Sequence, residues 1–170
     1  SKAIAFAVLA ALFYALSSPI SKILLEDVSP YLMASLLYLG AGIGMLAVRS
    51  ASPSSRREER PLTRGDMPYI VGMVVLDIAA PILLMYGLLN STASSVSLLN
   101  NFEIVATTLI ALLLFGEKVS SRAWAAVILI TISAVILSTA GTGELTFSLG
   151  SLAVILACVC WGLENNCTRR

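Results

Sequence analysis

Long apolar runs dominate this chain, in place of the alternation expected of strands or the narrow apolar stripe of a soluble helix. Six stretches are apolar enough to cross a bilayer: roughly 3–25, 31–48, 67–89, 92–115, 123–139 and 148–168. A spanning helix needs about 20 mostly apolar residues, so the second and fifth stretches lie near the lower limit. Between them stand short clusters of turn residues: Glu26-Asp27-Val28-Ser29-Pro30, Asn90-Ser91, Gly116-Glu117-Lys118 and Gly141-Thr142-Gly143-Glu144. Only 49–66, rich in Ser, Arg and Glu, is long enough to be a free loop, and it is expected to be mobile. The pattern predicts an all-α, polytopic transmembrane helical bundle of six spans.

Composition sharpens the class. The 170 residues are 58% hydrophobic and 12% charged, against about 45–50% apolar and about 25% charged in a soluble domain. The net charge of +1 gives a nucleic-acid partner no electrostatic support, and the absence of histidine removes imidazole ligation and His-dependent triads. The three cysteines, Cys158, Cys160 and Cys167, share one apolar segment with no second cluster to complete a zinc site. No metal and no cofactor is expected. Neither H-E-x-x-H nor G-x-S-x-G occurs, and two carboxylates alone are not a mechanism, so the chain reads as no enzyme.

Charge also sets an orientation. In a six-span topology Lys2, Arg49, Arg56, Arg57, Arg60, Arg64, Lys118, Arg122, Arg169 and Arg170 fall on one side, and of the 11 basic residues only Lys22 falls towards the other. Basic residues mark the cytoplasmic side. The expectation is a multi-pass protein of the cell inner (plasma) membrane with a cytoplasmic N-terminus. The chain opens on Ser1 and closes on Arg169-Arg170, which reads as a piece of a longer protein.

Polar residues inside the spans carry the candidate chemistry. A charged side chain at the bilayer centre costs about 2.5–3.5 kcal/mol on insertion scales. Asp77, Glu103 and Glu164 are therefore either protonated or face a wet, protein-lined cavity. Tyr14, Ser17, Ser18 and Ser21 share one stripe of the first helix, above Pro19. Asn100, Glu103 and Thr107 share one face of the fourth, with Asn101 turned towards another helix. Pro81, four residues after Asp77, frees the Asp77 carbonyl and suggests a cation or proton site. Each of these faces also reads as helix-to-helix glue. Gly40-x-x-x-Gly44, inside the second span, reads as a close-packing face.

An internal repeat sits at the end of the chain. "LAALFYALSSPISK" (9–22) and "LACVCWGLENNCTR" (156–169) align at an offset of 147 residues. Tyr14 meets Trp161, Ser17 and Ser18 meet Glu164 and Asn165, and Lys22 meets Arg169. Five spans separate the two starts, so the copies enter the membrane from opposite sides, the signature of an inverted repeat.

The stretch 93–138 resembles the EamA domain of the drug/metabolite transporter superfamily, on Glu103 in mid-helix, Gly116-Glu117-Lys118 and Trp124 opening the next helix. "CWGLENNCTRR" (160–170) resembles the opening of a second such repeat. The resemblance implies half of an inverted-repeat transporter: 1–140 as a first repeat of five helices, and 148–170 as the first helix of a second. It implies a secondary transporter moving small metabolites, amino acids or drug-like compounds by alternating access, completed by the missing second repeat or a dimer partner. The expected cavity residues are Tyr14, Ser17, Ser18, Asp77, Asn100, Glu103, Trp161, Glu164 and Asn165. The acids would serve proton or cation coupling. The rival reading is a non-transporting membrane scaffold or subunit, or an inactive fragment.

Overall fold

The computed structural model describes residues 2–51, 63–116, 118–139 and 148–168. Most of the 49–66 loop, Glu117, the Gly141–Glu144 turn and Arg169-Arg170 lie outside the described residues. Seven helical segments follow one another: α1 (Lys2–Leu24), α2 (Pro30–Ala51), α3 (Met67–Leu89), α4 (Ala93–Leu99), α5 (Phe102–Phe115), α6 (Ser121–Thr139) and α7 (Leu149–Cys167). No strand occurs among the described residues. The helices form the polytopic bundle of a multi-pass membrane protein. Five spans are long and apolar enough to cross a bilayer, with Ala93–Phe115 counted as one of them. The described apolar part of α6, Ser121–Ser133, is shorter.

The helix ends follow local chemistry. Thr92 and Ser148 cap α4 and α7, each accepting from a backbone N–H three residues on, at 3.2 and 3.1 Å. Gly116 closes α5 in the left-handed region, with φ of 63° and its N–H on the Ala111 carbonyl, a conformation glycine adopts without steric cost. Lys22 reaches across from α1 and donates to the Leu88 and Leu89 carbonyls at 2.7 and 2.9 Å. A cation is favourable at the C-terminal end of α3, where carbonyls lack helical partners. α1 and α3 both continue through their prolines, Pro19 and Pro81.

The expected single helix over 92–115 is two pieces. At Asn100 and Asn101 the chain tightens: the Asn101 N–H bonds Leu98 O at 3.1 Å and the Glu103 N–H bonds Asn100 O at 3.1 Å. These three-residue bonds are of 3₁₀ type. Irregular backbone at membrane depth needs protein donors for its freed carbonyls. Here Asn101 folds its amide back onto Ser97 O and Leu98 O, at 3.2 and 3.1 Å, rather than meeting another helix. The buried Cys158 thiol donates to Leu99 O and Asn100 O at 3.5 and 3.7 Å.

The core sits at one end of the bundle. Leu25, Met33, Ala34, Met85, Leu88, Val96, Val154 and Cys158 pack together where α1 meets α2, α3 meets α4, and α7 begins. α7 lies in the groove between α3 and α5. Its buried residues, Gly150, Ala153, Val154, Ala157, Cys158, Gly162 and Asn166, form one stripe of mostly small side chains. Lipid tails are as apolar as Leu, so helix association here depends on close packing and hydrogen bonds.

Glycines set that closeness, though not those of α2. A Cβ placed on Gly162 would lie 2.9 Å from the Thr107 nitrogen and 3.0 Å from the Ala106 Cβ. One on Gly87 would lie 2.5 Å from Val154 Cγ2 and 2.9 Å from the Gly150 carbonyl oxygen. By contrast, Gly40, Gly42 and Gly44 have open space beside them. The Gly40-x-x-x-Gly44 face packs against no described residue.

Candidate functional site

Three helices from distant parts of the sequence meet at Glu103. The tightened turn at Asn100–Asn101 opens α5 and places Glu103 in its first turn. Asn165 of α7 donates to Glu103 Oε1 at 2.9 Å and to Thr107 Oγ1 at 3.5 Å. Asn100 donates to the Tyr14 hydroxyl of α1. Cys158 Sγ lies 3.9 Å from Asn100 Oδ1. The result is a polar chain running from α1 through the α4–α5 turn to α7. Glu103, Asn100 and Asn165 are half-buried, and Tyr14 is 67% exposed at the outer end of the chain.

A second polar group lies on the other flank of α7. The Tyr38 hydroxyl of α2 donates to Asp77 Oδ1 of α3 at 3.4 Å. Trp161 and Glu164 approach the same tyrosine. Glu164 is also held locally, because Thr168 donates to its Oε1 at 2.7 Å. Asp77, Trp161 and Glu164 are half-buried. α7 therefore divides the acids: Glu103 on the α5 side, Asp77 on the α3 side. Glu164 and Asn165, adjacent in sequence, point one to each group.

Ser17 and Ser18 are half-buried on α1, and among the described residues no hydrogen bond joins their side chains to either group. Ser21, one turn further, is almost fully buried at 1% exposure.

Three contributors escape a reading of the sequence. Tyr38 carries no signal beyond being one aromatic among many. Thr107 shares the Glu103 face, yet its role as the second acceptor for Asn165 needs the α5–α7 contact. Asn166 is the most consequential: it is 3% exposed and clamps α7 to α5, donating to Thr107 O at 3.1 Å and Gly162 O at 2.7 Å. Its signal is the doubled Asn165-Asn166, which matches the doubled Asn100-Asn101 across the interface.

A cavity of about 670 Å³ opens between α5, α6 and α7, lined by Thr107, Thr108, Lys118, Ser120, Asn165 and Thr168 among others. Asn165 and Thr107 alone belong to both the cavity wall and the Glu103 network. Asp77, Glu103, Tyr14 and Trp161 do not line it. Among the described residues no cluster of carboxylates and thiols could hold a metal ion. The arrangement can bind polar groups and hold a proton on a carboxylate. It provides no nucleophile paired with a base.

Comparison with known proteins gives a consistent picture. The model of the EamA-like transporter family matches residues 1–139. A protein of Methanothermobacter thermautotrophicus named "Uncharacterized transporter" is 26% identical over 170 aligned residues, which cover 92% of this chain and 50% of that protein. The chain thus spans about half the length of this curated relative. No solved structure matches it significantly.

Proposed function

The chain belongs to the EamA-like transporter family, and on that premise we propose that it forms the first part of a secondary transporter of small metabolites, amino acids or drug-like compounds working by alternating access. In this reading residues 1–140 are a first five-helix repeat and 148–170 open a second, with a second repeat or a dimer partner completing the path. The protein resides in the plasma membrane with its N-terminus and the 49–66 loop in the cytoplasm, as the basic residues favour.

One observation carries the reading: the bonded chain Tyr14–Asn100 and Glu103–Asn165, which joins α1, the α4–α5 turn and α7. The bland alternative is a static helix clamp, and the fold already has one in Asn166, buried and bonded by its amide N–H groups to both helices. Glu103 and Tyr14 differ from it in remaining accessible. A half-buried carboxylate held by one amide can release that partner and take a proton or a cationic group at modest cost. A fully sealed one cannot. Asp77 with Tyr38, and Glu164 with Trp161, supply a second polar wall. The buried core at the α1–α2 and α3–α4 turns, with the cavity at the Lys118 end, fits a state open towards the cytoplasm.

Purified full-length protein in liposomes tests this. Solute-driven uptake or a pH-driven flux should fall at least tenfold in Glu103→Gln, and by less in Asp77→Asn. Undiminished pH-dependent flux in both variants would remove the coupling role. Failure of the unaltered protein to move any solute would favour a scaffold.

A further inference from the structure

The cavity between α5, α6 and α7 lies outside both acid groups, and its donors have a character of their own. We propose that it is a binding site for an oxyanion, a phosphate or carboxylate group, held by the Lys118 ammonium with the Thr107 and Ser120 hydroxyls. This does not depend on the carrier reading.

A volume of about 670 Å³ falls in the range of small-molecule pockets. Among the described residues Lys118 is the one charged side chain in its wall, and no described residue pairs with its ammonium. Thr107 Oγ1 accepts from Asn165 at 3.5 Å, and Ser120 Oγ accepts from the Ala123 N–H at 3.2 Å. Each hydroxyl therefore keeps its own proton free to give to a ligand. α6 begins at Ser121, so the positive end of its dipole adds to the same field.

The nearest described acids, Glu103 and Glu164, are bonded by residues of the cavity wall. Asn165 and Thr168 line it, yet both donate away from it: Asn165 to Glu103 at 2.9 Å and Thr168 to Glu164 at 2.7 Å. Thr108 likewise gives its proton to Ile104 O at 2.7 Å. Among the described residues, what faces the space is one cation and two neutral donors, with no carboxylate. That set suits an oxyanion, since hydrogen bonds to an ionised acceptor are about twice as strong as neutral ones, and it would repel an ammonium group. The site lies where α5 ends and α6 begins, near the membrane surface. An oxyanion there can come from a dissolved solute or from the headgroup of an anionic lipid.

Titration calorimetry with inorganic phosphate, on full-length protein in phosphatidylcholine nanodiscs, tests the site. Saturable binding is expected, weakened at least tenfold by Lys118→Gln and several-fold by Ser120→Ala. Arg49→Gln, a change of charge on another helix, should leave it unaltered. Native mass spectrometry from phosphatidylglycerol nanodiscs separates the two sources. One phosphatidylglycerol retained by the unaltered protein and lost in Lys118→Gln identifies a headgroup; phosphate binding without retained lipid identifies a solute. No saturable phosphate binding, or equal weakening by Arg49→Gln and Lys118→Gln, would overturn the proposal.

Discussion

α1 and α7 carry one sequence pattern, aromatic at Tyr14 and Trp161 and polar just beyond, and have opposite surroundings. Of the apolar window of α7, 39% is buried, against 6% for that of α1. The shared pattern therefore does not decide burial. What α7 has in addition is a stripe of small residues ending in Asn166, matched to Gly87 on α3 and to Ala106 and Thr107 on α5. α1 touches the rest through fewer anchors: Tyr14 to Asn100, Ser21 in the core, and Lys22 on the end of α3. Under the proposed repeat arrangement the contrast has a simple meaning. The first repeat grips the first helix of the second, and α1 awaits the corresponding groove of its counterpart.

The largest predicted effect strikes at the glycines that separate the two helices. Gly162→Val would force α7 off α5, because the obstructing atoms are backbone and Cβ and cannot swing away. Unfolding in detergent micelles should show a loss of about 3 kcal/mol, the upper part of the usual range for overpacking. Next comes Asn166→Ala, which leaves the half-buried Thr107 carbonyl without its side-chain donor. A loss of about 2 kcal/mol is expected, while Ser18→Ala on α1 should cost little. Lys22→Met tests the α1 anchor: it removes a cation from the end of α3 and should cost about 0.5–1 kcal/mol by the same measurement. Smallest is Gly44→Val on α2, within about 0.5 kcal/mol. If Gly44→Val were as damaging as Gly162→Val, the assignment of the packing glycines would be reversed.

These contrasts show how far the chain's own text reaches. The helical bundle was legible because apolar length is a physical requirement of the bilayer, and short turns with Pro, Gly and Ser mark where helices stop; five of the six expected spans are long and apolar enough to cross, and the described apolar part of the fifth, Ser121–Ser133, is shorter. The second helix runs to Ala51, past the apolar edge at Val48, because Arg49 and Ser50 still have good helical geometry at a water-facing end. The break at Asn100–Asn101 was not legible. Asn100, Glu103 and Thr107 fit an unbroken helical period, and the donor that tolerates the break, Cys158, lies far along the chain. The close-packing face at Gly40 and Gly44 meets no described residue for a related reason: spacing shows that a helix can be approached closely, but not which helix approaches. The candidate site shows the same limit. Asn100, Glu103 and Asn165 were visible as polar groups in apolar helices, while Tyr38 and Asn166 gain their roles only through partners on other helices.

Under the proposed alternating access the Tyr14–Asn100 contact lies on a moving boundary, whereas the α5–α7 contact stays packed. The most direct measurement couples cysteines at both positions, Tyr14→Cys with Asn100→Cys, in full-length protein whose Cys158, Cys160 and Cys167 are replaced by Ala. A short bifunctional thiol reagent with a cleavable disulfide then joins α1 to the α4–α5 turn. Liposome uptake should stop on cross-linking and return on reduction. Uptake at the uncross-linked rate in fully cross-linked protein would contradict the account.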